Sequence, residues 1–259
     1  MDVGRSFTYM FEDKDWIAKL AIGGVILLTG TILFWLVIPI IAAYAVVLGY
    51  SLVALRNVYD GSPTPLPEWN NFGDLFVKGI TAIVGVLIWS IPVLILLCCI
   101  FLTTFAIGGT ARGDNGSAAA TFGGLVVTCL TCLTVIVGII ISVVTYAPLT
   151  NFALTNQIST FWDFSGNWRF IQQNAGNYVI AFLLAYVANL IAGFGLIACI
   201  VGVFFTSFWA MLVISHLFGQ VARGNMAPTD TDMLPPAPPP MDQPPPPMTP
   251  GPMEPAPTA

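Results

Sequence analysis

Residues 20–55 read LAIGGVILLTGTILFWLVIPIIAAYAVVLGYSLVAL, which is 36 consecutive positions without an Asp, Glu, Lys, Arg or His. Three more stretches of this kind follow at 79–111, 115–162 and 170–222, and His216 is their only residue of these five types. A helix needs about 20 apolar residues to cross the hydrocarbon core of a bilayer. The four stretches therefore predict an all-α integral membrane protein that crosses the bilayer several times.

The overall composition agrees with a membrane protein. Only 8% of the 259 residues are charged, whereas soluble domains carry about 25%. The eight Lys and Arg residues are scattered along the chain, so they form no basic patch of the kind that binds nucleic acid. We therefore predict a lipid bilayer as the surroundings of this protein and no nucleic-acid partner.

The first stretch is too long for one crossing. As a single helix it would measure about 54 Å, and Pro39 removes a backbone donor and disfavours helix at the residue before it. We interpret it as a hairpin of two helices at 16–37 and 39–57, although one long kinked helix is the alternative. The other stretches predict helices at 79–105 (kinked at Pro92), 121–148, 177–197 and 198–221, which makes about six in total.

The distribution of basic residues favours this count. Loops on the cytoplasmic side of a membrane carry an excess of Lys and Arg. With six crossings, seven basic residues lie on one side of the membrane and only Arg112 lies on the other. With five crossings the basic residues are divided four to four, and with four crossings they are divided five to three. We expect a multi-pass protein of the cytoplasmic membrane with both termini in the cytoplasm.

These expectations divide the chain into three parts. They are a cytoplasmic segment at 1–15, a transmembrane helical domain at 16–224 and a Pro-rich tail at 225–259. Proline runs such as 235–236, 238–240 and 244–247 favour polyproline II and cannot build a packed core, so we predict that the tail is disordered. A cytoplasmic protein that recognises proline-rich segments could dock there; a solvated extension without a partner is the alternative.

Two polar loops are rich in aromatic residues. The loops are at 69–76 and 162–170, and in each of them a Trp is followed four residues later by Gly and then by Phe. This shared pattern suggests a parallel internal repeat of hairpins. We expect short amphipathic segments at 71–78 and 161–173 that lie in the membrane interface. The alternative is that their aromatic residues only anchor the helices at a fixed depth in the membrane. The candidate interfacial or partner contacts in these segments are Trp69, Phe72, Phe76, Trp162, Trp168 and Phe170.

The first of these loops and its flanks resemble a known family. The motifs are Arg-Asn-Val at 56–58, Leu-Pro-Glu-Trp at 66–69 and Gly-Asp-Leu-Phe-Val-Lys-Gly at 73–79, preceded by Ile-Pro at 38–39 and Gly-Tyr at 49–50. This pattern is similar to domain-of-unknown-function family 4013, a bacterial and archaeal membrane family, over about residues 5–222. The resemblance implies a multi-pass helical protein of prokaryotic origin. It supplies no catalytic residues, because the family has no established activity.

Four cysteines fall on neighbouring predicted helices at similar distances from the turn that joins them. They are Cys98, Cys99, Cys129 and Cys132. A disulfide or a soft-metal site is one interpretation, since thiolates bind Zn²⁺ and Cu(I). The other is that they serve as small apolar packing residues, and it is favoured because no His, Asp or Glu lies at that level. Cys199 is interpreted as a packing residue.

The remaining polar residues of the apolar stretches are few. His216 has no carboxylate or thiol nearby in the sequence, which argues against a metal site or a proton relay. Asn189, Thr131 and Thr145 are candidates for hydrogen bonds between helices or for the lining of a pore. Ionisable groups that mark ion-coupled transport are otherwise absent from the stretches.

No residue constellation in this sequence points to a reaction. We therefore predict that the protein is not an enzyme and needs no cofactor or metal. The first functional hypothesis is a membrane scaffold, assembly or partner-binding protein, which could form homo-oligomers. The alternative is a channel or facilitator for a small or apolar solute, with the path lined by hydroxyls and Asn189.

Overall fold

The computed structural model describes residues 1–110, 116–197 and 201–224, without the side chains of 109, 110 and 116–119. Within these ranges the chain forms eight α-helices and no strand. They are α1 (Val3–Thr8), α2 (Trp16–Ile32), α3 (Ile38–Tyr59), α4 (Phe72–Thr110), α5 (Gly116–Thr155), α6 (Phe164–Gln173), α7 (Ala175–Gly193) and α8 (Gly202–Arg223). Short 3-10 helices occur at Tyr9–Glu12, Phe34–Leu36, Ile158–Phe161 and Phe194–Leu196.

The helices have the lengths and composition of membrane spans. In the described ranges, α3, α4, α5, α7 and α8 are long and apolar enough to cross a bilayer. The total is six if Val3–Glu12 and Trp16–Ile32, which meet at a bend of 97°, count as one broken span. The predicted all-α membrane architecture is confirmed, and the predicted six crossings lie at the upper end of this range.

The first apolar stretch is a hairpin, as preferred from the sequence. Helix α2 ends at Ile32, and α3 begins at Ile38 after the turn through Phe34–Leu36. Pro39 lies in the first turn of α3, where its missing N–H would have had no helical partner. Trp35 at the tip of the hairpin is 81% exposed, so the turn projects away from the protein core.

Helices α4 and α5 are longer than the sequence predicted. They run for 39 and 40 residues, with Pro92 and Pro148 inside them. The segment 71–78 was predicted as a separate amphipathic piece, but its residues 72–78 form the first turns of α4. Leu75 and Gly79, one turn apart, are both buried there, so the packed face of α4 continues directly into the apolar stretch and nothing breaks the helix.

The helix contacts are made through small residues. Helix α7 buries Ala181, Ala185, Ala188 and Ala192, a spacing of three or four residues that lines one face. This face joins the main apolar core, to which α8 also contributes. Small side chains allow two helices to approach closely, which is the usual way of packing helices in a membrane.

One part of the structure contributes nothing to the core. We call it the outer hairpin: residues 91–108 of α4 and 120–140 of α5. Neither core cluster of the described chain contains a residue from it. Only 6% of the residues in the most apolar 18-residue segment of α4 are buried. None of the residues in the corresponding segment of α5 is buried. The two helices therefore leave the bundle and cover only part of each other, as where Gly123 is buried against Ile107.

The suggested internal repeat remains a prediction. The two aromatic loops lead into different structures, because 72–78 continues into α4 whereas α6 and α7 are separated at Asn174. The tail at 225–259 lies outside the described residues, and so does Cys199.

Candidate functional site

The most concentrated polar chemistry lies around Lys19 in the first turn of α2. Its side chain is 6% exposed. The ammonium nitrogen lies 2.9 Å from Asp13 Oδ2 and 2.7 Å from Glu68 Oε1, and it donates to the Leu66 carbonyl at 3.4 Å. A buried ammonium needs such partners because removing it from water is costly. Lys19 therefore joins the N-terminal segment, α2 and the loop 60–71.

The two carboxylates are not equivalent. The Asp13 side chain is 10% exposed, whereas that of Glu68 is 65% exposed. Burial raises the pKa of Asp13, but hydrogen bonds from Lys19 and from the backbone N–H of Asp15 outweigh it, so the pKa lies below the usual value for Asp. Asp13 is thus held ionised as the principal partner of Lys19, while water screens Glu68.

The loop 60–71 folds back against α3. Tyr50 donates its hydroxyl proton to the Pro67 carbonyl at 2.8 Å, and its ring stacks on Trp69 with centroids 4.1 Å apart. The Trp69 indole N–H donates to the Lys19 carbonyl at 3.2 Å. Phe208 of α8 completes the cluster, with its ring centroid 5.6 Å from that of Tyr50. Trp69, the aromatic residue of this loop, consequently helps to hold α2, α3 and α8 together.

The N-terminal segment is attached to α8 by a second polar network. The Tyr9 hydroxyl donates to the Leu212 carbonyl at 3.1 Å, and the Tyr9 ring stacks on His216 at 4.3 Å. His216 Nδ1 lies 3.0 Å from Ser6 Oγ and 3.1 Å from Gln220 Nε2. Gln220 also accepts from the Asp2 N–H at 2.8 Å and donates to the Asp2 carbonyl at 3.1 Å. His216 therefore serves here as a hydrogen-bonding contact between α1 and α8.

Replacing Gln220 with leucine should loosen this attachment. The change removes both bonds to Asp2 and one to His216, and at these exposed or half-buried positions each bond contributes about 0.5–1.5 kcal/mol. We expect amide hydrogen exchange of residues 3–8 to become at least about tenfold faster. Gln172→Leu on the exposed side of α6 is the matched control. Unchanged exchange in both variants would show that α1 is held by other contacts.

The second aromatic loop is built around Asn167. Asp163 caps α6 by accepting from the Gly166 N–H at 2.8 Å. Inside, the buried Asn167 donates to the Thr160 carbonyl and accepts from Asn151 Nδ2, both at 2.8 Å. Trp89 of α4 donates its indole N–H to the Phe161 carbonyl at 2.9 Å. These bonds fix the 3-10 helix Ile158–Phe161 against the middle of α4 and the short amphipathic α6 against the last turns of α5.

The structure divides the six predicted aromatic contacts into two groups. Trp69 is half-buried in the stack with Tyr50, and Phe170 is buried against Tyr178. These two hold the fold together and are not open to a partner. The other four have at least a third of their surface exposed: Phe72, Phe76, Trp162 and Trp168.

The four described cysteines are free thiols and all are exposed on the outer hairpin. They form no disulfide with one another, and no described group of three or more His, Cys, Asp or Glu residues could hold a metal ion. They lie outside the core of the described chain, and the packing interpretation remains a prediction. The four cysteines are Cys98, Cys99, Cys129 and Cys132.

The predicted interhelical polar contacts are made within single helices instead. Asn189 is exposed on α7 and donates to the carbonyl of Ala185. Thr131 and Thr145 donate to the carbonyls four residues before them in α5. Hydroxyl groups of membrane helices commonly satisfy their donors in this way, so these hydrogen bonds join no two helices.

The loop that resembles a known family is thus also the one that organises the N-terminal half of the bundle. A family model described as a protein of unknown function (DUF4013) matches residues 32–201, about two thirds of the chain. This chain belongs to the DUF4013 family. Comparison with curated proteins and with solved structures found no match. The DUF4013 match includes α3 to α7, and thus the outer hairpin and both aromatic loops.

Sequence reasoning missed the partners of Lys19 and the network around His216. The positions of Asp13 and Glu68 carry no periodic signal, because they lie in irregular segments. Tyr9 and Leu212 are joined across 203 positions, a separation that no local pattern reports. None of the buried side-chain polar atoms in the described part of this DUF4013 member lacks a hydrogen-bond partner.

Proposed function

We propose that this protein is a non-enzymatic membrane scaffold that holds a protein partner through its outer hairpin. One observation carries the proposal: the outer hairpin is apolar, exposed and unused by the core, although it belongs to the two longest helices. The bundle closes its own core without it, so its surface is available inside the membrane.

The shape of this surface supports a protein contact. Gly124 and Gly138 of α5 have open space where a side chain would project. Helices in membranes associate by van der Waals packing, and glycines allow the backbones to come close. A partner helix could therefore lie along α5 more tightly than lipid chains do.

The polar groups support a scaffold more than a catalyst or a channel. The buried network around Lys19 and that around His216 are occupied with internal bonds, and Asp163 caps a helix. A facilitator would need polar groups that share a path, yet Thr131, Thr145 and Asn189 bond to their own helices. No observation favours the channel alternative.

The location and the partners belong to the same proposal. We place the protein in the cell membrane with both termini in the cytoplasm, as the distribution of Lys and Arg suggests. The partner of the outer hairpin is a membrane helix, either of another protein or of a second copy. A cytoplasmic protein bound to the proline-rich tail is a separate contact.

Site-specific photocrosslinking in native membranes tests the proposal. A benzoylphenylalanine placed at Phe105 or Leu133, which are 77% and 46% exposed on the outer hairpin, should give a discrete protein adduct. The same probe at Tyr186 of α7, 61% exposed, is the control for lipid-facing positions that lie outside the outer hairpin. Mass spectrometry of the adduct then distinguishes a second copy from another protein.

Two results would contradict the scaffold. The first is the absence of protein adducts at the outer hairpin positions, with only lipid adducts formed. The second is selective solute flux through the purified protein in liposomes, which would establish the facilitator instead.

A further inference from the structure

A groove lies where the outer hairpin leaves the core. It has a volume of about 400 Å³ and opens between α4, α5 and α6. Its lining consists of three aromatic side chains, one valine and two small polar residues: Trp89, Val144, Phe164, Ser165, Asn167 and Trp168. Volumes of about 300–1,000 Å³ are typical of small-ligand sites.

The polar atoms inside the groove are already in use. The Trp89 indole N–H donates to the Phe161 carbonyl, and the Asn167 amide bonds to Thr160 and Asn151. Ser165 lies on the exposed side of α6. No ionisable side chain is among the described residues that line the groove. A ligand therefore finds mainly aromatic rings and the Val144 side chain.

The surroundings also identify the ligand. Phe164 and Trp168 are 59% and 56% exposed at the rim, and their rings belong to an amphipathic helix of the kind that lies at the membrane interface. On one side the groove borders the outer hairpin, because Ile140, one helical turn before Val144 on α5, is 58% exposed. Hydrocarbon from the bilayer can enter from that side without crossing water.

We propose that this groove is a specific binding site for one acyl chain of a membrane phospholipid. The rings of Trp89, Phe164 and Trp168 contact the chain, and the recognition is of hydrocarbon and not of the headgroup. Phe164 packs on Trp89 with ring centroids 4.9 Å apart, so the site is preformed. This assignment is independent of the scaffold proposal, because the groove and the outer hairpin can be altered separately.

Native mass spectrometry of the full chain in detergent tests the site. The delipidated protein is titrated with palmitoyl-oleoyl phosphatidylglycerol and, separately, with phosphatidylethanolamine carrying the same chains. We expect the first lipid to bind about tenfold more tightly than the next, with either headgroup. Dihexanoyl forms of both lipids should lose this preference, because their chains are too short to fill the groove.

Matched variants locate the binding. Phe164→Ala and Trp168→Ala each remove a ring wall, and we expect about tenfold weaker binding of the first lipid, since a well-placed ring contributes on the order of that factor. Phe122→Ala and Trp35→Ala remove rings that are 73% and 81% exposed elsewhere, and they should leave it unchanged. Val144→Phe, which fills the groove, should abolish the preference while the melting temperature is kept.

Several outcomes would overturn the assignment. One is a statistical distribution of bound lipids in the unaltered protein. Another is equal weakening in the Phe122→Ala and Trp35→Ala controls, and a third is tight binding that survives Val144→Phe. If the affinity for the first lipid depended strongly on the headgroup and not on chain length, the site would recognise the headgroup and not the hydrocarbon chain.

Discussion

Replacing Gly79 with alanine is expected to separate α3 from α4 and to destabilise the protein by on the order of 3 kcal/mol. A Cβ atom at Gly79 would overlap the backbone carbonyl of Ala45, and one at Gly49 would overlap that of Leu75. A carbonyl of a helix backbone cannot rotate away as a side chain can, so the helices must move apart. Thermal unfolding in detergent, followed by intrinsic tryptophan fluorescence, measures the loss.

The chain offers a close control for this variant. Gly73 lies in the first turn of the same helix, and a methyl group there would meet no neighbouring atom within 4 Å. Gly73→Ala should be neutral or slightly stabilising, because alanine favours helix by up to about 1 kcal/mol. Equal melting temperatures for Gly79→Ala and Gly73→Ala would show that α3 and α4 are not held by close backbone contact.

Replacing Lys19 with methionine should have a comparable effect for an electrostatic reason. The variant leaves the Asp13 carboxylate, 10% exposed, without its ammonium partner. Removing one member of a buried ion pair typically costs about 3–5 kcal/mol. Lys14→Met, at an exposed position in the same segment, should change the melting temperature little.

Two further variants divide the effect between the carboxylates. Glu68→Gln should cost less than about 1 kcal/mol, because that side chain is 65% exposed and its pairing is screened by water. The double variant Asp13→Leu with Lys19→Met should be more stable than Lys19→Met alone, since no uncompensated charge remains. A double variant that is the less stable of the two would mean that Asp13 stabilises the fold independently of Lys19.

The fold could be predicted from the sequence where one physical constraint acted alone. The absence of charges identifies the membrane helices, and Pro39 marks the turn between α2 and α3 because it cannot continue the hydrogen bonds of α2. The start of α4 could not be predicted, because the polar residues of 70–74 resemble a loop while Leu75 and Gly79 already pack on α3.

The polar contacts were less predictable than the helices. Trp69 and Phe170 were predicted as interfacial or partner contacts, but whether such a ring faces lipid or its own protein depends on tertiary packing. The same holds for the exposed thiols of Cys98 and Cys129, since an apolar helix has no polar face from which to read its orientation. Contacts between distant segments, such as Asp2 with Gln220, leave no local signature.

That last contact also bears on the number of crossings. Asp2, at the beginning of the chain, and Gln220, in the last turn of α8, exchange two hydrogen bonds. A chain whose two described ends touch must begin and finish on the same face of the bilayer, and only an even number of passages allows that. Five passages would leave the ends a membrane's thickness apart. The count of six agrees with this contact, and in that count Val3–Glu12 and Trp16–Ile32 together form one broken span.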